Sequence, residues 1–135
     1  MSLYEQFSTD PNLESGDGVN LKYGNDVVIT INRAGGSNKK FDKIANAKTR
    51  PFRRQLANGT MDEDVSQKIL KESYAEAVVL GWKNVTDAKG KAMKFNKENF
   101  VKLMDDLPDL WADIQIQANT AANFRAVAIE EDTKN

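Results

Sequence analysis

Residues 33–60 combine a glycine pair, a helical spacing of apolar side chains and a proline placed inside that spacing. Gly35-Gly36 ends the β-branched run before it, because glycine interrupts a strand and favours a turn. Pro51 lacks a backbone N–H and its ring clashes with the preceding turn, so no regular helix continues through it. We therefore predict a helix over roughly 39–57, kinked at Pro51 or split there into two short helices, and ended by Asn58-Gly59.

Three further stretches show apolar residues at helical spacing. Thr60 and Glu63 form a capping-box pattern before the first stretch, and Gly81 follows its end. Asn96 can cap the second helix, and Pro108 can occupy the first turn of the third. These helices are predicted at roughly 61–80, 97–106 and 108–126.

Two segments are typical of β-hairpins. Residues 18–32 alternate apolar and polar side chains and then become β-branched on either side of the turn Gly24-Asn25-Asp26. Residues 82–95 carry aromatic and apolar side chains on both sides of a second turn at 87–90. A lone hairpin is marginal in water, so the first should pack on helices or pair with another chain. The predicted fold class is mainly α, a small domain of about four helices with two hairpins.

Both ends of the chain are polar. Residues 1–17 are predicted to form a flexible N-terminal arm, or alternatively an arm that docks on a neighbour through Tyr4 and Phe7. Residues 129–135 are mostly acidic, and we predict a disordered tail. Residues 18–128 then form a single globular domain, which is long enough to bury a core.

The chain contains no histidine and no cysteine. The commonest general base, the commonest transition-metal ligand and the thiol nucleophile are therefore missing. We expect no enzymatic activity, no catalytic residue, no metal site, no cofactor and no small-molecule substrate. No window holds the roughly 18 apolar residues that span a bilayer, and the start lacks the pattern of a secretory signal. We therefore expect no membrane association.

Positive charge is concentrated between Arg33 and Arg54. This stretch holds eight Lys and Arg against one acid, Asp42, so it carries +7 while the remainder of the chain carries −8. Three interpretations are open: a solvated helix face balanced by the acids at 62–64, a surface for an acidic protein, or a surface for nucleic acid. The overall pI near 5.5 and the lack of exposed stacking aromatics disfavour nucleic acid. Trp82 and Trp111 are read as core anchors or as interface hot spots.

Several motifs are shared with a known family. They are Arg33-Ala34-Gly35-Gly36-Ser37-Asn38-Lys39-Lys40-Phe41, Arg50-Pro51-Phe52-Arg53-Arg54, Gly81-Trp82-Lys83-Asn84-Val85 with Asp87 and Gly90, Phe95-Asn96-Lys97-Glu98-Asn99-Phe100, and Leu107-Pro108-Asp109-Leu110-Trp111. In these motifs, from about Tyr4 to Asn135, the chain resembles the tail assembly chaperones of long-tailed bacteriophages and prophages.

The resemblance implies a non-enzymatic helper in the host bacterial cytoplasm that is absent from the mature virion. Chaperones of this family hold the long tape-measure protein soluble and yield to tail tube subunits as the tube polymerises. The tape-measure protein and the tail tube protein are therefore the implied partners, and whether the chain also forms a homo-oligomer is left open. The alternatives are a virion structural or connector protein, and a nucleic-acid-binding accessory protein that uses residues 33–54.

A tape-measure protein is a long helical partner, and docking of a helix needs an apolar groove with charged rims. We hypothesise a groove with Phe52 and Leu56 on one wall and Trp111 and Ile114 on the other, beside a rim of arginines. The predicted partner-binding residues are Arg50, Phe52, Arg53, Arg54 and Trp111.

Overall fold

The structure is a computed structural model that describes residues 2–126. Its helices are α1 (Leu3–Phe7), α2 (Pro11–Ser15), α3 (Lys39–Thr49), α4 (Arg53–Asn58), α5 (Glu63–Ala77), α6 (Lys97–Asp106) and α7 (Pro108–Ala118). Its strands are β1 (Val19–Lys22), β2 (Val28–Ile31) and β3 (Val79–Lys83), and 3₁₀ turns lie at Arg50–Phe52 and Ala121–Phe124. The prediction of a mainly α chain is confirmed.

The strands form one antiparallel sheet in the order β1-β2-β3. The hairpin β1–β2 lies inside the predicted range 18–32 and pairs Val19 with Ile31. Its turn places Asn25 and Asp26 at φ of 60° and 62°, the left-handed region that these residue types tolerate. The third strand of the sheet is β3, which lies about fifty residues later in the chain and pairs with β2.

The second hairpin, predicted at 82–95, is shorter than predicted: its turn at 87–90 is present, and backbone hydrogen bonds join Val85 to Met93 and Asp87 to Lys91. Trp82 lies in β3 and pairs with Ile29 of the first hairpin, and between β3 and α6 one antiparallel bridge joins Thr86 to Ala92. The physical reason is the free edge of β2, which offers unpaired backbone groups to the residues that follow α5. Those residues complete the main sheet, so only the part of the predicted hairpin closest to its turn forms.

The helix predicted at 61–80 begins at Glu63 and ends at Ala77. Asp62 caps it in place of Thr60, because the Asp62 carboxylate accepts a backbone N–H of the first turn at 2.8 Å. The helix ends early because the β-branched pair that follows leads into β3, where sheet pairing is available. The prediction placed strand residues on a helix.

The helix predicted at 108–126 ends at Ala118. Asn119 stops it, since its side-chain amide donates to the backbone carbonyl of Gln115 at 2.7 Å and competes with helix continuation. The chain then makes the second 3₁₀ turn, which buries Phe124 completely.

The predicted break at Pro51 is confirmed. α3 ends at Thr49, a 3₁₀ turn carries the proline, and α4 runs on to Gly59, which caps it at φ of 66°. α6 has the predicted bounds, and the Asn96 side chain caps it by accepting a backbone N–H at 2.8 Å.

The core lies between the inner face of the sheet and helices α5, α6 and α7. α5 is central, because it packs against both α3 and α6. Edge-to-face ring contacts tie these layers together, with Tyr74 of α5 at 4.9 Å from Trp111 of α7 between ring centroids. The largest fully buried apolar side chains are Tyr74, Phe100, Phe124, Ile29, Ile31, Met104 and Ile114.

Residues 2–17, predicted as a flexible arm, form α1 and α2. The backbone N–H of Asp10 donates to the carbonyl of Phe124 at 2.8 Å, and Glu14 of α2 is buried. The mobility of this segment and the predicted domain boundaries stay predictions. The predicted acidic tail, 129–135, lies outside the described residues.

Candidate partner-binding surface

The packing of α3 decides where its charges point. Phe41 faces α5 and meets the Tyr74 ring edge-to-face at 5.5 Å between centroids. Lys48 lies on the same side, with its Nζ 2.7 Å from the Glu76 carboxylate, and this hydrogen bond raises the pKa of Lys48. With one face committed to α5, the other cations of α3 point to solvent.

The result is a cationic face, here called the basic surface, along α3, the first 3₁₀ turn and α4. Its members are exposed, and within the described residues no carboxylate lies within ion-pairing distance of any of them. The acids at 62–64 serve α5 instead: Asp62 caps the helix and Glu63 accepts from Gln67. The members of the basic surface are Lys39, Lys40, Lys43, Arg50, Arg53 and Arg54.

The structure brings together part of the predicted site. Arg50, Arg53 and Arg54 are exposed on one short stretch, Phe52 is half-buried among them, and Leu56 is 47% exposed. Whether these side chains bind a partner stays a prediction.

The hypothesised second wall of the groove is in the core. Trp111 is 6% exposed and Ile114 is completely buried. The Trp111 indole Nε1–H donates to the Gln67 side-chain oxygen at 3.1 Å, so its polar atom is satisfied internally. A buried ring cannot line an open groove, and the structure therefore supports the reading of Trp111 as a core anchor.

An apolar groove lies elsewhere, between the hairpin turn and the corner where α6 meets α7. It has a volume of about 550 Å³, and its walls include Val27, Leu103, Leu107 and Leu110. Tyr23 closes one side, donating its hydroxyl to Asp113 at 2.7 Å. Burial, and then the carboxylate, raise the pKa of Tyr23 well above its ordinary value, so it stays a neutral donor. Sequence reasoning missed this groove because its walls come from residues about eighty positions apart.

A buried ion pair fixes the glycine break before α3. Glu14 is 2% exposed, and its carboxylate lies 2.7 Å from the Arg33 guanidinium and accepts from the Thr9 hydroxyl at 2.9 Å. Burial on its own raises the pKa of Glu14, but hydrogen bonds from Arg33, Thr9 and Ser37 outweigh it and hold that pKa below its ordinary value. This carboxylate is therefore ionised at neutral pH and belongs to the scaffold of the basic surface.

Within residues 2–126, no group of three or more acidic side chains is arranged to hold a metal ion. No helix in that same range has the length and apolarity needed to cross a bilayer.

Comparison with known proteins places the chain in a family. Residues 36–135 match the model of the YdaY prophage protein family. The chain belongs to this family. The match spans the basic surface, β3 and helices α5 to α7, and it begins after α1, α2 and the β1–β2 hairpin. No curated protein and no solved structure matches the chain. The prophage part of the resemblance seen in the sequence is thereby supported.

Proposed function

We propose that this YdaY-family prophage protein is a tail assembly chaperone that binds the tape-measure protein and assists tail tube assembly without enzymatic activity. The observation that carries the proposal is the basic surface, whose six exposed cations have no carboxylate partner within residues 2–126. Membership of a prophage family supports the setting. The proposed place of action is the host cytoplasm, with the protein absent from the mature virion.

The chemistry of the basic surface suits an acidic helical partner. Unneutralised charges of one sign attract a partner of opposite charge and raise the rate of encounter. Arginine adds forked hydrogen bonds to carboxylates. Leu56 projects one helical turn after Arg53 and is 47% exposed, so an apolar contact is available beside the charges.

A charge reversal tests the proposal. Replacement of Arg50, Arg53 and Arg54 by Glu should reduce co-purification with a co-expressed tape-measure protein at least tenfold. A matched control reverses Lys89, Lys91 and Lys94, three exposed lysines of the loop after β3. Both variants change the net charge equally, and circular dichroism checks that each is folded. Equal binding by the two variants contradicts the proposed role of the basic surface.

The alternative functions make different predictions. Binding of nucleic acid through residues 33–54 should weaken steeply with salt, with a log–log slope near one for each phosphate contacted. A virion structural or connector protein should be detected by mass spectrometry in purified particles. Either result, found together with unchanged tape-measure binding in the Arg→Glu variant, would replace the chaperone proposal.

A further inference from the structure

α1 presents an apolar face that its own chain leaves open to water. Leu3, Tyr4 and Phe7 are 71%, 85% and 60% exposed, although they are large apolar side chains on one short helix. The helix is capped, because the Ser2 hydroxyl accepts the N–H of Glu5. A soluble chain seldom groups apolar side chains on one open face without a use for them.

Contacts with Arg125 and Ala126 lie at α1 and just beyond it. Thr9 and Arg125 form an antiparallel bridge just beyond the helix, and the N–H of Ala126 donates to the carbonyl of Ser8 at 3.4 Å. The Arg125 guanidinium lies over the Phe7 ring, 5.0 Å from its centroid. No carboxylate within residues 2–126 pairs with Arg125. α1 therefore offers an apolar face with a positive charge at its edge.

The groove at the α6–α7 corner is a concave surface that such a helix face could enter. Its lining is mostly apolar, with Leu107 47% exposed and Leu110 half-buried, and its polar part comes from Asn25, Asn84 and Thr86. Asp109 stands between these two leucines in the chain, is exposed, and makes no ion pair within the described range. The groove is thus mostly apolar, and an exposed carboxylate lies in α7 next to its lining residue Leu110 in the chain.

We propose that α1 of one copy docks in this groove of a second copy, with Arg125 facing Asp109, and that the exchange is reciprocal in a two-fold dimer. An uncovered apolar face with a cation next to it and a mostly apolar groove with a nearby carboxylate occur on the same chain, which favours a second copy as the occupant. Aromatic side chains bury about 150–250 Å² each, so the α1 face covers on the order of 400 Å². One such contact, counting both partners, buries on the order of 800 Å², which is small for a stable complex. Two reciprocal contacts reach about 1,600 Å², the usual size of a specific interface.

The lack of cysteine in the chain allows a direct test by disulfide trapping. Two single-cysteine proteins, Tyr4→Cys and Leu107→Cys, are mixed under mild oxidation, and the cross-linked product is measured on a non-reducing gel. A mixed disulfide dimer is expected, since docking brings the two positions within bonding range. Leu80→Cys is the matched control for Leu107→Cys, because both leucines are 47% exposed. Equal cross-linking of Tyr4→Cys to both positions, or to neither, overturns the proposal.

Sedimentation of untagged protein gives a second measurement that needs no cysteine. Phe7→Ser should raise the dimer dissociation constant at least tenfold. The control Ile116→Ser should not, although Ile116 is exposed to the same extent, 61% against 60%. A wild-type protein that stays monomeric at 100 µM, or equal effects of the two substitutions, overturns the proposal.

The dimer and the proposed chaperone activity use different residues, so each can fail alone. Phe7→Ser is expected to retain binding of the tape-measure protein in the co-purification assay. A wild-type monomer in which Phe7→Ser abolishes that binding would assign α1 to the tape-measure protein and overturn the dimer. A dimer that forms without any tape-measure binding would leave the dimer standing and refute the chaperone.

Discussion

Replacement of Glu14 by Ala tests whether the N-terminal segment is part of the folded unit. The substitution removes the carboxylate that pairs with Arg33 at 2.7 Å and that accepts the Thr9 hydroxyl at 2.9 Å. The Glu14 side chain is 3% exposed and that of Arg33 is 23% exposed. Removal of the carboxylate therefore leaves the largely buried Arg33 guanidinium without its counter-ion and the Thr9 hydroxyl without its acceptor.

The magnitude follows from these exposures. Breaking a fully buried ion pair by removing one partner costs about 3–5 kcal/mol. Because the Arg33 guanidinium can regain part of its hydration, we expect Glu14→Ala to lower the free energy of unfolding by about 2–3 kcal/mol. For a chain of this size that corresponds to a fall in melting temperature of roughly 6–12 °C. Lys102→Ala, which removes the exposed pair with Asp106, should cause no resolvable change.

The assay is urea denaturation followed by circular dichroism, with Arg33→Ala and the double variant completing a cycle. The double variant should be less destabilised than the sum of the two single ones, since neither charge is then left alone. Additive effects, or a Glu14→Ala variant as stable as the wild type, would refute the ion pair as a structural anchor.

The same ion pair gives a pH dependence of known sign. The pKa of folded Glu14 lies below its ordinary value of 4.5, so its stabilising effect is fully present above that pH. The effect is lost as the pH falls through the lower, folded-state pKa. The difference in unfolding free energy between wild type and Glu14→Gln should therefore be constant from pH 7 to about pH 5 and shrink below it.

Two further pairs of substitutions test the packing. Gly36→Ala should cost more than the roughly 1–2 kcal/mol expected for a left-handed residue, because the added Cβ would also run into the Glu14 carboxylate. Gly59→Ala has a similar φ with open space around it, so it should show the backbone cost alone in the same urea titration. Ile114→Ala should lower the free energy of unfolding by about 2–5 kcal/mol, since this side chain is completely buried. Ile116→Ala, 61% exposed two residues later, should be near neutral, and equal losses for the two would contradict the core described above.

The sequence predicted correctly those helix boundaries that depend on residues next to them in the chain. α6 has the predicted bounds because Asn96 caps its start and Pro108 follows its end. The interruption at Pro51 was equally readable, since the missing N–H acts on its own helix.

The features that the sequence did not show, such as the end of α5 and the Glu14–Arg33 ion pair, depend on contacts between distant segments of the chain. α5 stops at Ala77 because the residues after it pair with β2, a strand about fifty positions earlier. The sequence did not show that Glu14, in a short polar segment, pairs with Arg33 nineteen residues away. A hydropathy pattern records which residues are apolar and not which distant partner will cover them.

The same limit applies to the candidate sites. The exposed arginines at 50, 53 and 54 could be expected from helical spacing around Phe52, and the basic surface follows from them. The groove could not, because its walls join the hairpin turn to the α6–α7 corner. Trp111 was assigned to a groove wall, and the structure uses its ring to fill the core.

The late arrival of β3 has a consequence during synthesis of the chain. The hairpin β1–β2 leaves the ribosome before β3, and this strand, which completes its sheet, is translated only after α3, α4 and α5. At about 5–20 residues per second, this delay lasts several seconds. Throughout it, the β2 edge is open and the apolar residues of its inner face are uncovered. Nascent chains that crowd on one messenger are therefore exposed to strand exchange at this edge until Lys83 has emerged.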